Sequence, residues 1–214
     1  MRNQRASSAN SSNHTDIDQN EQLTLAGFDV VPLPTDGLFF AIFPDAQTAS
    51  HMEETARRVC DKHGFADAPL ALERYHVTLH HLGNYAGGLP PALVARAIRA
   101  AATIDARQFA VAFDRAENFR GRPLVLRADE GVHALMAFRH SLGAALERVG
   151  FAARTRTSFT PHVTLAYRDP AHVRRRVVEH FDEAIRWTVR EFVLVHSLLG
   201  RTRHVALARW PLGA

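Results

Sequence analysis

The chain has 214 residues, 46% hydrophobic and 22% charged, with a formal net charge of +4 and a pI near 9.9. These proportions suit a soluble globular protein long enough for one large domain or two small lobes. No apolar run reaches the roughly 20 residues of a membrane helix, the opening MRNQRASSANSSN lacks the apolar stretch of a secretory signal, and the lone Cys60 excludes an intrachain disulfide or a thiolate metal cluster. A reducing cytoplasm is therefore the expected compartment. Lys62 is the only lysine, so arginine carries nearly all the positive charge. Guanidinium recognises phosphate with a planar fork of donors, and the basic pI favours a polyanionic partner.

In chain order, residues 1–29 read as a disordered tail rich in Ser, Asn, Gln and Asp, and residues 30–214 as a bilobal domain. Leu38 to Phe43 predicts a short buried strand. Asp45 opens a helix whose apolar positions are Ala49, Met52, Ala56 and Val59, and Gly64 closes it. A second helix begins at Pro90 and Pro91, with Leu93, Val94, Ala97, Ile98 and Ala101 as its stripe. Phe109 to Phe113 and Leu124 to Leu126 predict strands joined around Gly121. Asp129 is placed to N-cap a helix carrying Val132, Leu135, Leu142, Leu146 and Val149, which Gly150 ends. Pro170 then opens a helix through Val173, Val177 and Phe181, and strands from Trp187 to Leu194 and His204 to Trp210 close the chain. Mixed helices and strands with hairpin-like connections imply an α+β fold with antiparallel sheets.

One pattern occurs twice: Gly-Phe, ten variable residues, then His-Val-Thr-Leu. The first copy joins Gly64 and Phe65 to His76, Val77, Thr78 and Leu79; the second joins Gly150 and Phe151 to His162, Val163, Thr164 and Leu165. On a strand the His and Thr of each copy share a face, about 6–7 Å apart, while Val points into the core. Packing explains a repeated Val and Leu but not a repeated His and Thr. Two imidazoles and two hydroxyls around one small anion suit in-line displacement at phosphorus: one imidazole takes a proton, the other gives one, and the hydroxyls hold the non-bridging oxygens. An already activated phosphate, such as a five-membered cyclic one, requires no metal or other cofactor.

These strands resemble the signature of the two-histidine phosphoesterase superfamily, and within it the bacterial 2′-5′ RNA ligase group, also called RNA 2′,3′-cyclic phosphodiesterases. The stretches FTPHVTLAY at Phe159 to Tyr167, RPLVLR at Arg122 to Arg127, and the closing EFVLVHSLLG and ARWPL segments are similar to that group, over roughly Leu38 to Leu212. The resemblance implies a duplicated fold in which two antiparallel sheets face each other across a groove with helices outside. It also implies hydrolysis of a 2′,3′-cyclic phosphate to a 2′-phosphomonoester, RNA ends or cyclic nucleotides as substrate, and His76 with Thr78 acting opposite His162 with Thr164. It favours His162 activating water and His76 protonating the departing 3′-oxygen.

The chain departs from the group where an arginine often follows each motif. Here His80 and His81 follow the first, and Tyr167 and Arg168 the second. Strand alternation turns His80 toward the site with His76 and Thr78, and turns Tyr167 away except at a bulge or the strand end. Phe119 is placed to stack on a base, so His80, Phe119, Tyr167 and Arg168 are the candidate substrate contacts. His76, His80 and His81 lack a nearby Cys or acidic residue to complete a zinc set. The run Arg174, Arg175, Arg176 reads as a solvated face. A monomer without membrane attachment is expected. The alternatives are a relative acting on another phosphoester, such as a 2′-5′ linked oligonucleotide or an ADP-ribose cyclic phosphate, and a non-catalytic binder of RNA ends.

Overall fold

A computed structural model describes residues 32–64, 68–118, 123–167 and 177–214. The expected tail, Gly121 and the Pro170 to Val173 start of the last expected helix lie outside them. Leu33 to Ala214 form one compact unit. Its elements are β1 (Asp36–Ile42), α1 (Ala46–His63), β2 (Val77–Tyr85), α2 (Pro91–Ala101), β3 (Phe109–Asn118), β4 (Leu124–Arg127), α3 (His133–Arg148), α4 (Ala152–Thr155), β5 (His162–Ala166), β6 (Val178–Val189), β7 (Glu191–Leu198) and β8 (Arg203–Pro211).

The strands form two four-stranded sheets, β2-β1-β7-β8 and β5-β4-β3-β6, with antiparallel pairing throughout. Both motif strands, β2 and β5, are edge strands. The helices interlock the halves. Helix α1 packs against β5 and β6 of the second sheet, and α4 packs against β2 of the first. A continuous core runs through Leu38, Phe40, Met52, Val59, Phe113, Leu126, Leu142 and Phe192, all fully buried. The opposite face of the first sheet buries a smaller cluster, Phe39, Ala41, Val193 and Val195.

Local chemistry sets the helix limits largely as expected. Asp45 caps α1 by accepting from the Thr48 amide at 2.8 Å, and Gly64 ends it in the left-handed region at φ 67, which only glycine adopts without strain. Pro90 and Pro91 open α2. Three expectations are overturned. Helix α3 begins after Val132 with no side-chain cap, because the Asp129 carboxylate accepts from Arg115 at 2.8 Å instead. Val178 to Phe181 are strand, not helix, since β6 pairs with β3 through Val178, Glu179 and His180. The single strand expected from Trp187 to Leu194 divides at Arg190: Val189 still pairs with Phe109 in the second sheet, whereas Glu191 pairs with Pro211 in the first.

Each motif strand also carries a β-bulge at the same place. Ala41 pairs with Thr78 and Phe40 with His80, leaving Leu79 as an extra residue. Val125 pairs with Thr164 and Leu124 with Ala166, leaving Leu165 as an extra residue. A bulge reverses the in-and-out alternation beyond it. Both bulged carbonyls are held from outside their sheet. Leu79 O accepts from Arg139 Nε at 2.9 Å, and Leu165 O accepts from the Leu70 amide at 2.8 Å.

Arg139, on α3, does more than hold Leu79. Its Nη2 reaches the carbonyls of Thr155 at 3.4 Å and Thr157 at 3.3 Å, and its guanidinium lies 4.3 Å from the Phe159 ring. His80 Nε2–H returns a bond to the Arg139 carbonyl at 2.9 Å. One side chain therefore ties the first motif's bulge to the segment leading into the second motif. Hydrogen bonds from a charged donor contribute about 1.5–3 kcal/mol. Arg139→Ala should accordingly lower unfolding free energy by about that amount in urea titration, and a loss below about 0.5 kcal/mol, the usual effect of a surface change, would contradict this role.

Candidate active site

The sides of β2 and β5 that bear His and Thr open onto a groove of about 390 Å³. Its wall includes His76, Thr78, His162 and Thr164, joined by Phe39, Arg74, His81, Tyr167, Ser197 and His204. Burial alternates as the repeat requires. The two His and two Thr are part-exposed, while Val77, Leu79, Val163 and Leu165 are buried. The structure thus brings the two copies of the motif to one place.

Both histidines are oriented by the same local bond. His76 Nδ1 lies 2.7 Å from the Arg74 carbonyl, and His162 Nδ1 lies 2.8 Å from the Thr160 carbonyl. A carbonyl only accepts, so Nδ1 must carry the proton in each ring. When neutral, each imidazole then holds its lone pair at Nε2.

The surroundings of the two rings differ. His76 is stacked on Phe39 at 5.2 Å between centroids, is tilted against Phe43 at 5.6 Å, and meets the edge of His204 at 5.2 Å. Burial pushes its pKa down to about 4, despite the Arg74 carbonyl, and the charges of His204, Arg74 and His162 push the same way. Burial and Arg74 also lower His204. His162 instead faces Arg127 across the β4–β5 ladder. Arg127 bonds Glu117 at 3.0 Å, and Arg115 bonds Glu117 at 3.2 Å and Asp129 at 2.8 Å. Beside the second sheet, arginine is matched by carboxylate. Among the described residues, the groove wall itself contains no Asp or Glu.

The bulges decide the flanking residues. His80 does not face the groove: it lies opposite Phe40 on the core side, 2% exposed, beside a small cavity of about 110 Å³. Its neighbour His81 takes the groove position and pairs with Asn84 Oδ1 at 2.9 Å. Tyr167, 59% exposed just past the end of β5, does line the groove, in the place equivalent to His81. Phe119 and Arg168 lie outside the described residues. Sequence reasoning missed Arg74 and His204. The signal for Arg74 was its place two residues before His76, whereas His204 comes from β8 and nothing in the motif points to it. Among the described residues, no three His, Cys, Asp or Glu side chains gather as a metal site, and no helix is long and apolar enough to cross a membrane.

Two edge strands presenting paired His-x-Thr motifs across one groove are the architecture of a two-histidine phosphoesterase. The sequence profile of the 2′-5′ RNA ligase superfamily matches residues 43–201, and the chain belongs to that family. Its fold is similar to Escherichia coli LigT complexed with 3′-AMP, at 25% identity and a TM-score of 0.64, with 85% of this chain and all of that one covered. LigT complexed with phosphate is 26% identical over the same shares, with a TM-score of 0.62. TT0787 of Thermus thermophilus, at 21% identity, shares the fold with a TM-score of 0.65, over 82% of this chain and 97% of its own. No curated protein matches the sequence.

Titration of the buried rings has a consequence for stability. Unfolded imidazoles bind protons below their ordinary pKa near 6.5. Folded His76 and His80, each lowered to about 4 chiefly by burial, do not bind them until the pH is much lower. The unfolded state therefore holds more protons between about pH 4 and 6.5, and stability falls as pH is lowered through that window, by up to about 1.4 kcal/mol per pH unit per histidine. Urea midpoints measured from pH 7.5 to 4.5 should show this decline, and His80→Gln should reduce its slope. A flat profile would mean that these rings titrate normally.

Proposed function

We propose that the protein hydrolyses 2′,3′-cyclic phosphates, on RNA ends or nucleotides, to 2′-phosphomonoesters. The observation that carries this reading is the matched pair of imidazoles, each held by an Nδ1–H bond to the carbonyl two residues back, in a groove whose described residues include no carboxylate. Water attacks phosphorus as one Nε2 takes its proton. The bond from phosphorus to the ribose 3′-oxygen breaks as the other imidazole protonates that oxygen. Thr78 and Thr164 donate to the two non-bridging oxygens as their charge grows. LigT, whose solved complexes contain 3′-AMP and phosphate, supports a nucleotide-sized anionic ligand here.

Family resemblance makes His162 the base and His76 the acid. Burial holds the pKa of His76 down to about 4, so its protonation is coupled to substrate. The negative cyclic phosphate offsets the burial and cationic neighbours that hold the ring neutral. The alkaline limb of kcat/KM, where His76 of the free enzyme loses its proton, should lie well below pH 6.5. That of kcat, which reports the complex, should lie at higher pH. Coincident limbs would remove this coupling.

The direct test incubates purified protein with a 2′,3′-cyclic mononucleotide in excess EDTA and identifies the product by phosphorus NMR. A 2′-phosphate formed at an undiminished rate is expected. His76→Ala and His162→Ala should each lower kcat by about 10²–10⁴-fold, and the double variant should be little worse than the worse single one. Thr78→Val and Thr164→Val should act mainly on kcat. A 3′-phosphate product would reverse the assignment of the leaving oxygen, and loss of activity on chelation would replace the mechanism with a metal-assisted one.

A further inference from the structure

Two buried nitrogens in the groove wall have no hydrogen-bond partner among the described residues: Arg74 Nε and His204 Nδ1. Arg74 forms no ion pair among those residues either. A buried polar atom left unpaired costs on the order of 1–3 kcal/mol, and native structures rarely keep one without a ligand, ion or water to satisfy it. Here two such atoms occur in the same groove. Arg74 is on the single 3₁₀ turn Leu72–Arg74 that leads into His76, and His204 comes from β8, with its ring edge-on to both His76 and Phe39.

The reacting phosphate does not need these groups. Its two non-bridging oxygens are met by Thr78 and Thr164, and its entering and departing oxygens by the two motif imidazoles. The guanidinium of Arg74, and His204 in its Nδ1–H tautomer, are further donors on the side of the first sheet. Charge confines them to one step of the groove. Among the described residues, the wall around them contains no carboxylate. Past His204, the neighbouring cavity of about 510 Å³ has Asp45, Glu73 and Glu191 beside Arg190 and Arg209. On the other side, Arg127 and Arg115 are already matched by Glu117 and Asp129. An uncompensated cation with a buried, unpaired N–H selects an acceptor-rich anion, and the planar fork of arginine suits phosphate best.

We propose that Arg74 and His204 form a second anion subsite, which takes a phosphate other than the one undergoing displacement. The groove then prefers a nucleotide or RNA end with at least two phosphate groups, such as a 5′-phosphorylated nucleotide or an end with its preceding phosphodiester. This rests on the phosphoesterase reading for the place of the reacting phosphate, but the subsite can be tested without turnover.

Calorimetric titration of the intact protein with adenosine 3′-monophosphate and adenosine 3′,5′-bisphosphate supplies that test. The bisphosphate should bind about 10–100-fold more tightly. Arg74→Gln should abolish that preference while leaving monophosphate affinity within about threefold. Arg74→Lys should recover part of it, and His204→Phe, which keeps the ring packed on His76 and Phe39, should reduce it. Equal binding of the two ligands by the wild type overturns the proposal. So does an Arg74→Gln variant that loses affinity for both equally, since Arg74 would then grip the reacting phosphate. If the bisphosphate preference holds but cyclic nucleotides are not hydrolysed, the subsite stands and the proposed reaction fails. If hydrolysis holds without the preference, the subsite alone fails.

Discussion

The matched bulges at Leu79 and Leu165 are the constraint on which the site depends. Up to the bulge, each motif strand alternates normally and sends His and Thr to the groove. At the bulge, two consecutive side chains turn to the core, and the alternation beyond is reversed. This puts His81 and Tyr167 in equivalent groove positions and seals His80 against α3. A bulge at the edge of a sheet bends and twists the strand, so it needs an outside partner. Arg139 supplies one for Leu79 and the Leu70 amide the other for Leu165. The duplication thus extends beyond the tetrapeptide to its backbone distortion, although the groups that hold the distortion differ between the copies.

Most of the fold was legible in the sequence because its elements are signalled locally. Asp45 and Gly64 bracket α1, the proline pair opens α2, and the two copies of the motif each begin with a buried-apolar alternation. The four motif side chains could be placed together because a repeated polar pair is not explained by packing. What was not legible depended on partners distant in sequence. Asp129 is a plausible cap until Arg115 claims its carboxylate. The run from Trp187 to Leu194 is apolar and extended throughout, and only its change of pairing partner at Arg190 divides it. His80 followed the rule of alternation, which Leu79 breaks. The one local sign of this was in the other copy, where Leu165 and Ala166 are consecutive apolar residues that a two-residue period does not accommodate. Arg74 and His204 reach the groove through a turn and a strand of the first sheet, so only the tertiary structure places them beside His76.

The two halves of the groove are also electrostatically unlike, despite their shared backbone plan. Near His162, arginines are paired with carboxylates in a chain from Arg127 to Asp129. Near His76, Arg74 has no such partner among the described residues, and burial favours the neutral form of the ring. A two-fold pattern in the backbone therefore carries two electrostatically unlike surroundings, which suits the proposed reaction, since acid and base catalysis there would require the two imidazoles to differ in protonation.

The first sheet is assembled from both ends of the compact unit. Strands β1 and β2 precede the second sheet in sequence, whereas β7 and β8 follow it. During synthesis, β1 therefore leaves the ribosome with one edge paired to β2 and the other open, and that open edge is completed only when Glu191 to Leu198 emerges. The second sheet is contiguous from β3 to β6 and has all its strands before then. An unpaired central strand is a template for association with other chains, and long-range pairing of this kind is slow to form. The half that holds His76 is thus the last to close. A chain that stops short of residue 191 has both histidine motifs but lacks the strand that completes the sheet beneath one of them.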